Sequence, residues 1–381
     1  MNDASVWASD PVALAEALIA CESVTPARGP VFDALEAMLT PLGFEVHRFI
    51  AGEGADPVEN CFAIRRGPAG SRHFGFAGHL DVVPAGDGWK SDPFGAEIED
   101  GMLVGRGASD MKSAIAAYVA ALSRLDPDAG TLSLFITGDE EGYATYGTPR
   151  IIDWLNEKQI RPDMILIGEP TSVERLGDTV KIGRRGSVNM WIEVPGVQGH
   201  VAYPHRATNP VPPLARVIDA LDELHLDDGT DQFPASNLEF TAISTPTNAS
   251  NVIPGSATAQ LNIRFNNLHK GADLVRLVEE IAEREAPGSK VTARISGEAF
   301  LTPPGRLYDV IVEAIEEETG EKPDLSTSGG TSDGRFLIQL CPVVDFGLPN
   351  GTMHKVGECA AVEDIRALSR IYERVLRKVL T

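Results

Sequence analysis

The stretch T-L-S-L-F-I-T-G-D-E-E-G, from Thr131 to Gly142, indicates an α/β fold. Its first seven residues are mostly apolar or β-branched, which predicts a buried strand from Thr131 to Thr137. A helix is predicted next from Pro149 to Lys158, followed by a second strand from Asp163 to Gly168. Strand, helix and strand in this order form a βαβ unit, which favours a parallel sheet with a right-handed crossover.

Further elements extend this unit on both sides. Asp10 followed by Pro11 is typical of a helix N-terminus, because aspartate caps the first turn and proline fits its first position. The other predicted elements are strands at Cys61 to Arg66, His73 to Gly78 and Val343 to Phe346, and helices at Met111 to Leu125, Arg306 to Thr319 and Val362 to Val379.

The pattern of elements changes from about Val180. The predicted elements there are a strand at Val180 to Val194, a helix at Val211 to Leu224, strands at Leu238 to Ser244 and Ala257 to Phe265, a helix at Ala272 to Glu285 and a strand at Lys290 to Ile295. This βαββαβ order predicts a two-layer α+β domain of the ferredoxin-like type. We therefore expect an inserted domain at 180–295. The larger α/β domain, made of 1–179 and 296–381, should have a mixed, largely parallel sheet with helices on both faces.

Ionisable side chains stand where the predicted strands end. His79, Glu140 and Glu169 each follow the carboxyl end of a strand, and Asp110 stands at the start of a helix. Ligands of open α/β sheets bind along that edge, so we expect these side chains to gather there. Each has an ordinary alternative when taken singly. Asp110 could cap its helix, and the adjacent Glu140 and Glu141 could lie in a solvated turn.

Taken together, these side chains have the composition of a two-metal site. His354, far downstream, supplies a second imidazole. Two divalent ions carry +4, three carboxylates carry −3, and one hydroxide brings the cluster close to neutrality, as a partly desolvated site requires. Glu140 is left over as a base. Asp81 follows His79 by two residues, so both side chains point the same way and Asp81 can orient the imidazole. The pattern predicts a hydrolase.

Composition restricts the class of protein further. With 381 residues the chain is long for a single core, which favours two domains. The net charge of −22 argues against a nucleic-acid partner, because such proteins carry basic patches. No apolar run approaches the roughly 18 residues of a membrane span, and Met1 to Asp10 lacks the features of a signal peptide. The four cysteines have no C-x-x-C spacing, so we expect reduced thiols in a cytoplasmic protein.

Longer strings resemble a known family. They are K-I-G-R-R-G-S (Lys181 to Ser187), G-V-Q-G-H-V-A-Y-P-H (Gly196 to His205), S-N-V-I-P (Ser250 to Pro254) and S-G-G-T-S-D-G-R-F (Ser328 to Phe336). With the metal motifs described above, the chain resembles the co-catalytic zinc amidohydrolases essentially from end to end. The strings are most similar to the branch of that family that acts on N-succinyl-diaminopimelate.

The resemblance implies a ligand set for two zinc ions. His79, Asp110 and Glu169 would hold one ion, and Asp110, Glu141 and His354 would hold the other. Asp110 would therefore bridge the two ions. Zinc is expected with these ligands, although cobalt or manganese suits the same side chains.

The resemblance also implies roles for residues outside the ligand set. Glu140 would be the general base and Asp81 the carboxylate that orients an imidazole. The smaller domain would form a homodimer, and His200 would reach the partner's active site to stabilise the oxyanion. The implied substrate contacts are Lys181, Arg184, Ser187, Tyr203, Asn251, Arg264 and Thr331.

The function that follows from the resemblance is hydrolysis of N-succinyl-LL-2,6-diaminopimelate to LL-2,6-diaminopimelate and succinate, in lysine biosynthesis. The cations Lys181, Arg184 and Arg264 suit a substrate with several carboxylates, although cations on a strand surface also favour solubility. Deacylation of another N-acyl amino acid of the acetylornithine type, or release of a C-terminal glutamate, is an alternative. A non-catalytic binding protein is an alternative of another class.

Overall fold

A computed structural model describes residues 9–52 and 57–381 of the chain. Most of the N-terminal segment considered for a signal peptide lies outside these residues. The chain divides into two compact units. Unit 1 runs to Ile182 and continues through Thr302–Ser326 and Ser332–Thr381, and unit 2 comprises Gly183–Leu301 and Thr327–Thr331. The predicted division into domains at 180 and 295 stays a prediction, because compactness alone does not show independent folding.

The strands are numbered here along the chain: β1 Glu45–Ala51, β2 Val58–Arg65, β3 His73–His79, β4 Glu97–Glu99, β5 Met102–Val104, β6 Thr131–Thr137, β7 Met164–Ile167, β8 Thr179–Lys181, β9 Gly183–Arg184, β10 Gly186–Pro195, β11 Gly199–His200, β12 Asn237–Ser244, β13 Val252–Ile253, β14 Ser256–Phe265, β15 Lys290–Gly297, β16 Phe300–Leu301, β17 Asp324–Ser326, β18 Val343–Asp345 and β19 Cys359–Ala361.

The α-helices are α1 Pro11–Ile19, α2 Pro30–Leu39, α3 Lys112–Leu122, α4 Thr148–Lys158, α5 Val211–Asp222, α6 Gly271–Glu285, α7 Arg306–Thr319, α8 Gly334–Leu337 and α9 Val362–Leu380; short 3₁₀ turns lie at Thr40–Leu42 and Pro204–Arg206. As predicted, Asp10 caps α1, because its side chain accepts a hydrogen bond from the Val12 N–H at 3.0 Å. Among the described residues, no helix is both long and apolar enough to cross a membrane.

Unit 1 is built on an eight-stranded sheet with the order β1-β2-β6-β3-β7-β18-β8-β17. The centre is parallel, because β3 pairs with β6 and β7, and β18 pairs with β7, all in the same direction. β1 and β2 add to it in antiparallel fashion. The predicted βαβ unit is present as β6, α4 and β7. The predicted mixed α/β fold is confirmed.

An aromatic cluster fixes β3, the central strand, against the helices. Phe76 of β3 stacks on Tyr118 of α3, with 4.1 Å between the ring centroids. Tyr372 of α9 meets both rings edge-on, at 5.7 and 5.9 Å. All three side chains are buried. Offset and edge-on aromatic pairs of this kind add stability beyond the area that they bury. The strand that ends at His79 is therefore held firmly at its middle.

Unit 2 has a four-stranded antiparallel sheet with the order β12-β14-β10-β15. Side chains of β14 alternate between buried and half-buried, so one face of the sheet packs on a core. That core includes Leu261 of β14, Val217 of α5 and Val278 of α6. The chain order β10, α5, β12, β14, α6, β15 is the predicted βαββαβ pattern. This part of the predicted fold is confirmed.

The carboxylate of Asp227 closes a loop of unit 2. Asp227 accepts hydrogen bonds from the backbone N–H groups of Gly229 and Ser236 and from the side chains of Asn266 and His269. Burial opposes ionisation, but these four donors outweigh it and hold the pKa of Asp227 well below its usual range. The loop is therefore tied to the end of β14 by an ionised side chain.

One predicted strand is wrong. The stretch from Val180 to Val194 forms three strands, β8, β9 and β10, rather than one. The breaks fall at Ile182 and Arg185. They separate strands of three different sheets, because β8 belongs to the eight-stranded sheet, β9 pairs with β16, and β10 belongs to the four-stranded sheet.

Candidate active site

The edge of the unit 1 sheet collects the predicted side chains. β3 ends at His79, which pairs with Thr137, the last residue of β6. The acidic pair Glu140 and Glu141 follows β6, and Glu169 follows β7. Because these parallel strands end at the same edge, the four side chains come from neighbouring positions.

Asp110 reaches this edge from the loop before α3. Met111 occupies the N-cap position and makes no side-chain capping bond, so the alternative that Asp110 caps the helix is wrong. The two oxygens of Asp110 instead face different imidazoles. Its Oδ1 lies 3.1 Å from Nε2 of His79, and its Oδ2 lies 3.3 Å from Nε2 of His354. This geometry suits a carboxylate that bridges two cations.

Two further carboxylates complete the cluster. Oε1 of Glu141 lies 2.8 Å from Nε2 of His354. Oε1 of Glu169 lies 3.8 Å from Nε2 of His79. Possible ligand atoms lie within 4.8 Å of one another in two groups, His79 with Asp110 and Glu141, and His79 with Glu140 and Glu169. The structure thus brings all the residues of the predicted metal set together, with Glu140 within the same range.

The hydrogen bonds in this cluster favour positive charge on the imidazoles. Burial opposes protonation of His79, but its hydrogen bond with Asp110 and the neighbouring charges raise the pKa of His79 well above its ordinary value. Hydrogen bonds with Asp110 and Glu141 raise the pKa of His354 to about 10. Imidazole nitrogens and carboxylate oxygens are also the usual ligands of zinc. The donor set therefore fits divalent ions, which would compete with protons for these nitrogens.

Asp81 supports the cluster through hydrogen bonds. Its carboxylate accepts hydrogen bonds from the backbone N–H groups of Glu140 and Glu141, at 3.1 and 3.0 Å. Nδ1 of His79 lies 2.8 Å from the backbone oxygen of Asp81 and 3.6 Å from its carboxylate. Burial raises the pKa of Asp81 to about 6. Asp81 thus contacts both the imidazole and the acidic pair.

Glu140 lies beside two residues that the sequence analysis did not select. Nη1 of Arg335 lies 3.9 Å from Oε1 of Glu140, and Nη2 lies 4.0 Å from Oδ1 of Asp333. The hydroxyl of Thr148 donates to Asp333 at 2.5 Å. Burial, and then the nearby Asp333 carboxylate, raise the pKa of Glu140 to about 8. Asp333 and Arg335 belong to the string S-G-G-T-S-D-G-R-F (Ser328 to Phe336), which was the only available signal.

Lys181 is the one predicted substrate contact in unit 1. It is the last residue of β8 and is almost fully buried. Its Nζ donates to the hydroxyl of Ser326 at 3.1 Å. Lysines are rarely buried unless they have partners, and a buried ammonium group contributes little to solubility.

The other predicted contacts lie in unit 2, in three groups. Arg184 is buried and donates to the backbone oxygen of Gly330, next to Thr331. Ser187 and Arg264 stand opposite each other on β10 and β14. The third group is exposed: Tyr203 lies 5.8 Å from His200 between ring centroids, and Asn251 accepts the N–H of Val201.

Comparison with known proteins identifies the family. The model of Peptidase family M20/M25/M40 matches residues 75–378. The chain belongs to this family. Members of this family hydrolyse amide bonds, so the prediction of a hydrolase is confirmed.

Relatives in the family are similar over their whole length. A succinyl-diaminopimelate desuccinylase of Novosphingobium aromaticivorans is 60% identical over 373 residues, covering 98% of this chain and 99% of the relative. One from Sphingopyxis alaskensis is 59% identical over 371 residues, covering 97% and 98%. The predicted resemblance is confirmed.

Solved structures share the fold. An aminopeptidase, PepT of Bacillus cereus, superposes with a TM-score of 0.79 at 19% identity, covering 98% of both chains. The Bacillus subtilis YXEP protein, described as a dinuclear metal-binding peptidase of family M20, gives 0.71 at 15% identity, covering 98% of this chain and 99% of that one.

Proposed function

We propose that the chain hydrolyses N-succinyl-LL-2,6-diaminopimelate to LL-2,6-diaminopimelate and succinate, as a cytoplasmic enzyme of lysine and diaminopimelate biosynthesis. The observation that carries this proposal is the His79, Asp110 and His354 arrangement, in which one carboxylate faces two imidazoles. The chain that carries this arrangement is about 60% identical to succinyl-diaminopimelate desuccinylases along almost its whole length.

The metal assignment follows the contacts of Asp110. His79, Asp110 and Glu169 would hold one zinc ion, and Asp110, Glu141 and His354 the other. When bound, such ions lower the pKa of water and polarise a carbonyl group. Cobalt or manganese fits the same ligands, because imidazole and carboxylate bind all three metals.

The chain's own residues supply the proton transfer. Glu140 lies in the cluster without being needed to complete either ligand set. Its carboxylate can take a proton from water as the water oxygen bonds to the amide carbonyl carbon. It can then return that proton to the nitrogen as the C–N bond breaks, which releases succinate and the free amine. Asp81 holds the backbone N–H groups of Glu140 and Glu141. It therefore fixes where the base stands.

Cationic side chains would recognise the carboxylates of the substrate. Lys181 and Arg184 are buried cations in a chain whose net charge is −22. Each therefore supplies local positive charge that the chain as a whole lacks. Arginine binds carboxylates through paired hydrogen bonds. Arg264, with Ser187 opposite, would add a further contact, as would Tyr203, Asn251 and Thr331.

We also propose that unit 2 forms a homodimer through which His200 serves the partner's active site. His200 is exposed, and its Nδ1 accepts the Ala202 N–H at 3.0 Å. This hydrogen bond leaves Nε2 free to carry the proton that an oxyanion requires. Oxyanion donors of this kind contribute about 2.7 to 4 kcal/mol to the transition state.

A panel of substrates tests the proposed function. Turnover is measured on N-succinyl-diaminopimelate, N-acetylornithine and a dipeptide ending in glutamate. We expect a clear preference for the succinyl substrate, and a preference for either of the others would replace the assignment. Glu140→Gln should lower kcat by about 10² to 10⁴-fold while metal content is unchanged. Glu99→Gln, at an exposed glutamate of β4, is the matched control and should keep full activity.

A further inference from the structure

Glu358 is a buried carboxylate that the proposed mechanism does not use. Its side chain is 1% exposed. Oε1 accepts the backbone N–H groups of Ser109 and Asp110, at 2.9 and 3.0 Å. Oε2 accepts the N–H of Gly107 at 3.0 Å and Nη1 of Arg106 at 2.8 Å. Both oxygens are therefore committed to one short loop, the one that carries Asp110.

Three backbone N–H groups that converge on one point form an anion-binding nest. The chain reaches this shape at Gly107, whose φ of +89° lies in the region that glycine adopts readily. Without the carboxylate, these buried N–H groups would lack an acceptor. Arg106 balances the charge and is itself held by the backbone oxygens of Pro84 and Ala85. The Glu358 carboxylate therefore supports the observed shape of the loop.

The same residue is joined to the loop that carries His354. Glu358 follows His354 by four positions, and its backbone oxygen accepts the Gly105 N–H at 2.9 Å. The hydroxyl of Thr352 donates to the backbone oxygen of Cys359 at 2.8 Å, and the N–H of Cys359 donates back to that hydroxyl at 3.1 Å. These bonds close the His354 loop onto the residue next to Glu358.

We propose that Glu358 is a positioning residue of the metal centre, which sets the separation between Asp110 and His354. Its two oxygens are bound by the Asp110 loop, and it acts by fixing the two loops that supply a bridging carboxylate and an imidazole. The inference rests on the proposed function, because it requires Asp110 and His354 to be ligands. It adds a requirement that lies outside the ligand set.

Glu358→Gln tests the inference in the full-length chain. The substitution keeps the shape but replaces one acceptor oxygen with an NH₂ group that faces N–H donors. We expect zinc affinity, measured by competition with a chromophoric chelator, to fall about 10- to 100-fold, as for other residues that support metal ligands. At saturating zinc, kcat should also fall while KM changes little. Glu363→Gln, at an exposed glutamate of α9 paired with Arg366, is the matched control.

The outcomes separate the inference from the proposed function. A folded Glu358→Gln with wild-type zinc affinity and wild-type kcat would show a purely structural role and overturn the inference. If that variant does not fold, Glu358→Asp, which keeps the charge, should fold and show a smaller loss of affinity; unchanged affinity there also overturns it. Wild-type chain that binds zinc but hydrolyses no substrate of the panel would overturn the function alone. Wild-type chain that binds no zinc would overturn both.

Discussion

Gly347 permits a close approach of two backbone segments next to a proposed metal ligand, so Gly347→Ala should damage the site. A Cβ at this position would lie 2.5 Å from the backbone oxygen of Glu169 and 2.6 Å from that of Gly168. Real Cβ atoms keep at least 3.0 Å from such atoms. Moving from 2.5 to 3.0 Å requires a shift of about 0.5 Å, which the backbone beside Glu169 must absorb.

The size of the effect follows from that shift. Forced overpacking of this kind costs about 1 to 3 kcal/mol in the free energy of unfolding. A ligand displaced by a substantial fraction of 1 Å should lower kcat about 10-fold or more, given that a full 1 Å can cost about 100-fold. Urea unfolding measures the first quantity and turnover at saturating zinc the second.

Gly351→Ala is the control for this prediction. Gly351 lies in the loop before His354, and a Cβ there would meet nothing within 4 Å. That variant should keep the stability and the kcat of the wild type. If Gly347→Ala behaves in the same way as Gly351→Ala, the close approach does not constrain Glu169 and the reasoning is refuted.

Three further predictions concern stability and metal. Asp227→Asn should lower the free energy of unfolding at pH 7 by about 2 kcal/mol, since hydrogen bonds to charged groups are lost. Because folding lowers the pKa of Asp227, its ionised side chain contributes to the free energy of unfolding above about pH 4, and this contribution is lost as the pH falls. The difference between the variant and the wild type in urea unfolding should therefore shrink below about pH 4. A difference that stays constant with pH would contradict this prediction. Leu261→Ala, in the core of unit 2, should cost about 2 to 5 kcal/mol by the same measurement. Chelation of metal should abolish turnover and lower Tm, and added zinc should restore both, whereas a Tm independent of zinc would argue against ions in the folded state.

Local patterns in the sequence were sufficient for most elements. The strand Thr131–Thr137 and the helix Arg306–Thr319 have the predicted bounds, because their apolar periodicity ends at clear polar or glycine boundaries. The prediction of one strand from Val180 to Val194 was wrong, since β8, β9 and β10 pair with different strands that follow much later in the chain. Propensity along the chain contains no information about such contacts.

The residues of the site likewise divide into those that local sequence patterns predict and those that depend on distant contacts. Side chains at or just past strand ends, such as His79 and Glu169, could be predicted because the topology alone brings strand ends together. Arg335 and Glu358 could not. In the sequence, Arg335 lies nearly 200 residues from Glu140, and Glu358 lies more than 200 residues from the Asp110 loop. Neither residue stands at a strand end of the βαβ unit. Buried partners of this kind become visible only when the loops are placed in space.

The main segment of unit 2, Gly183–Leu301, begins and ends in a two-stranded ribbon. Gly183 pairs with Leu301 across β9 and β16, and the residues just outside, Ile182 and Thr302, are joined by a backbone hydrogen bond of 2.8 Å. An insertion with adjoining ends can be excised or exchanged without stretching the host sheet. Joining Ile182 to Thr302 through a few glycines would therefore give a shortened protein. That variant would show whether unit 1 folds and binds metal without residues 183–301.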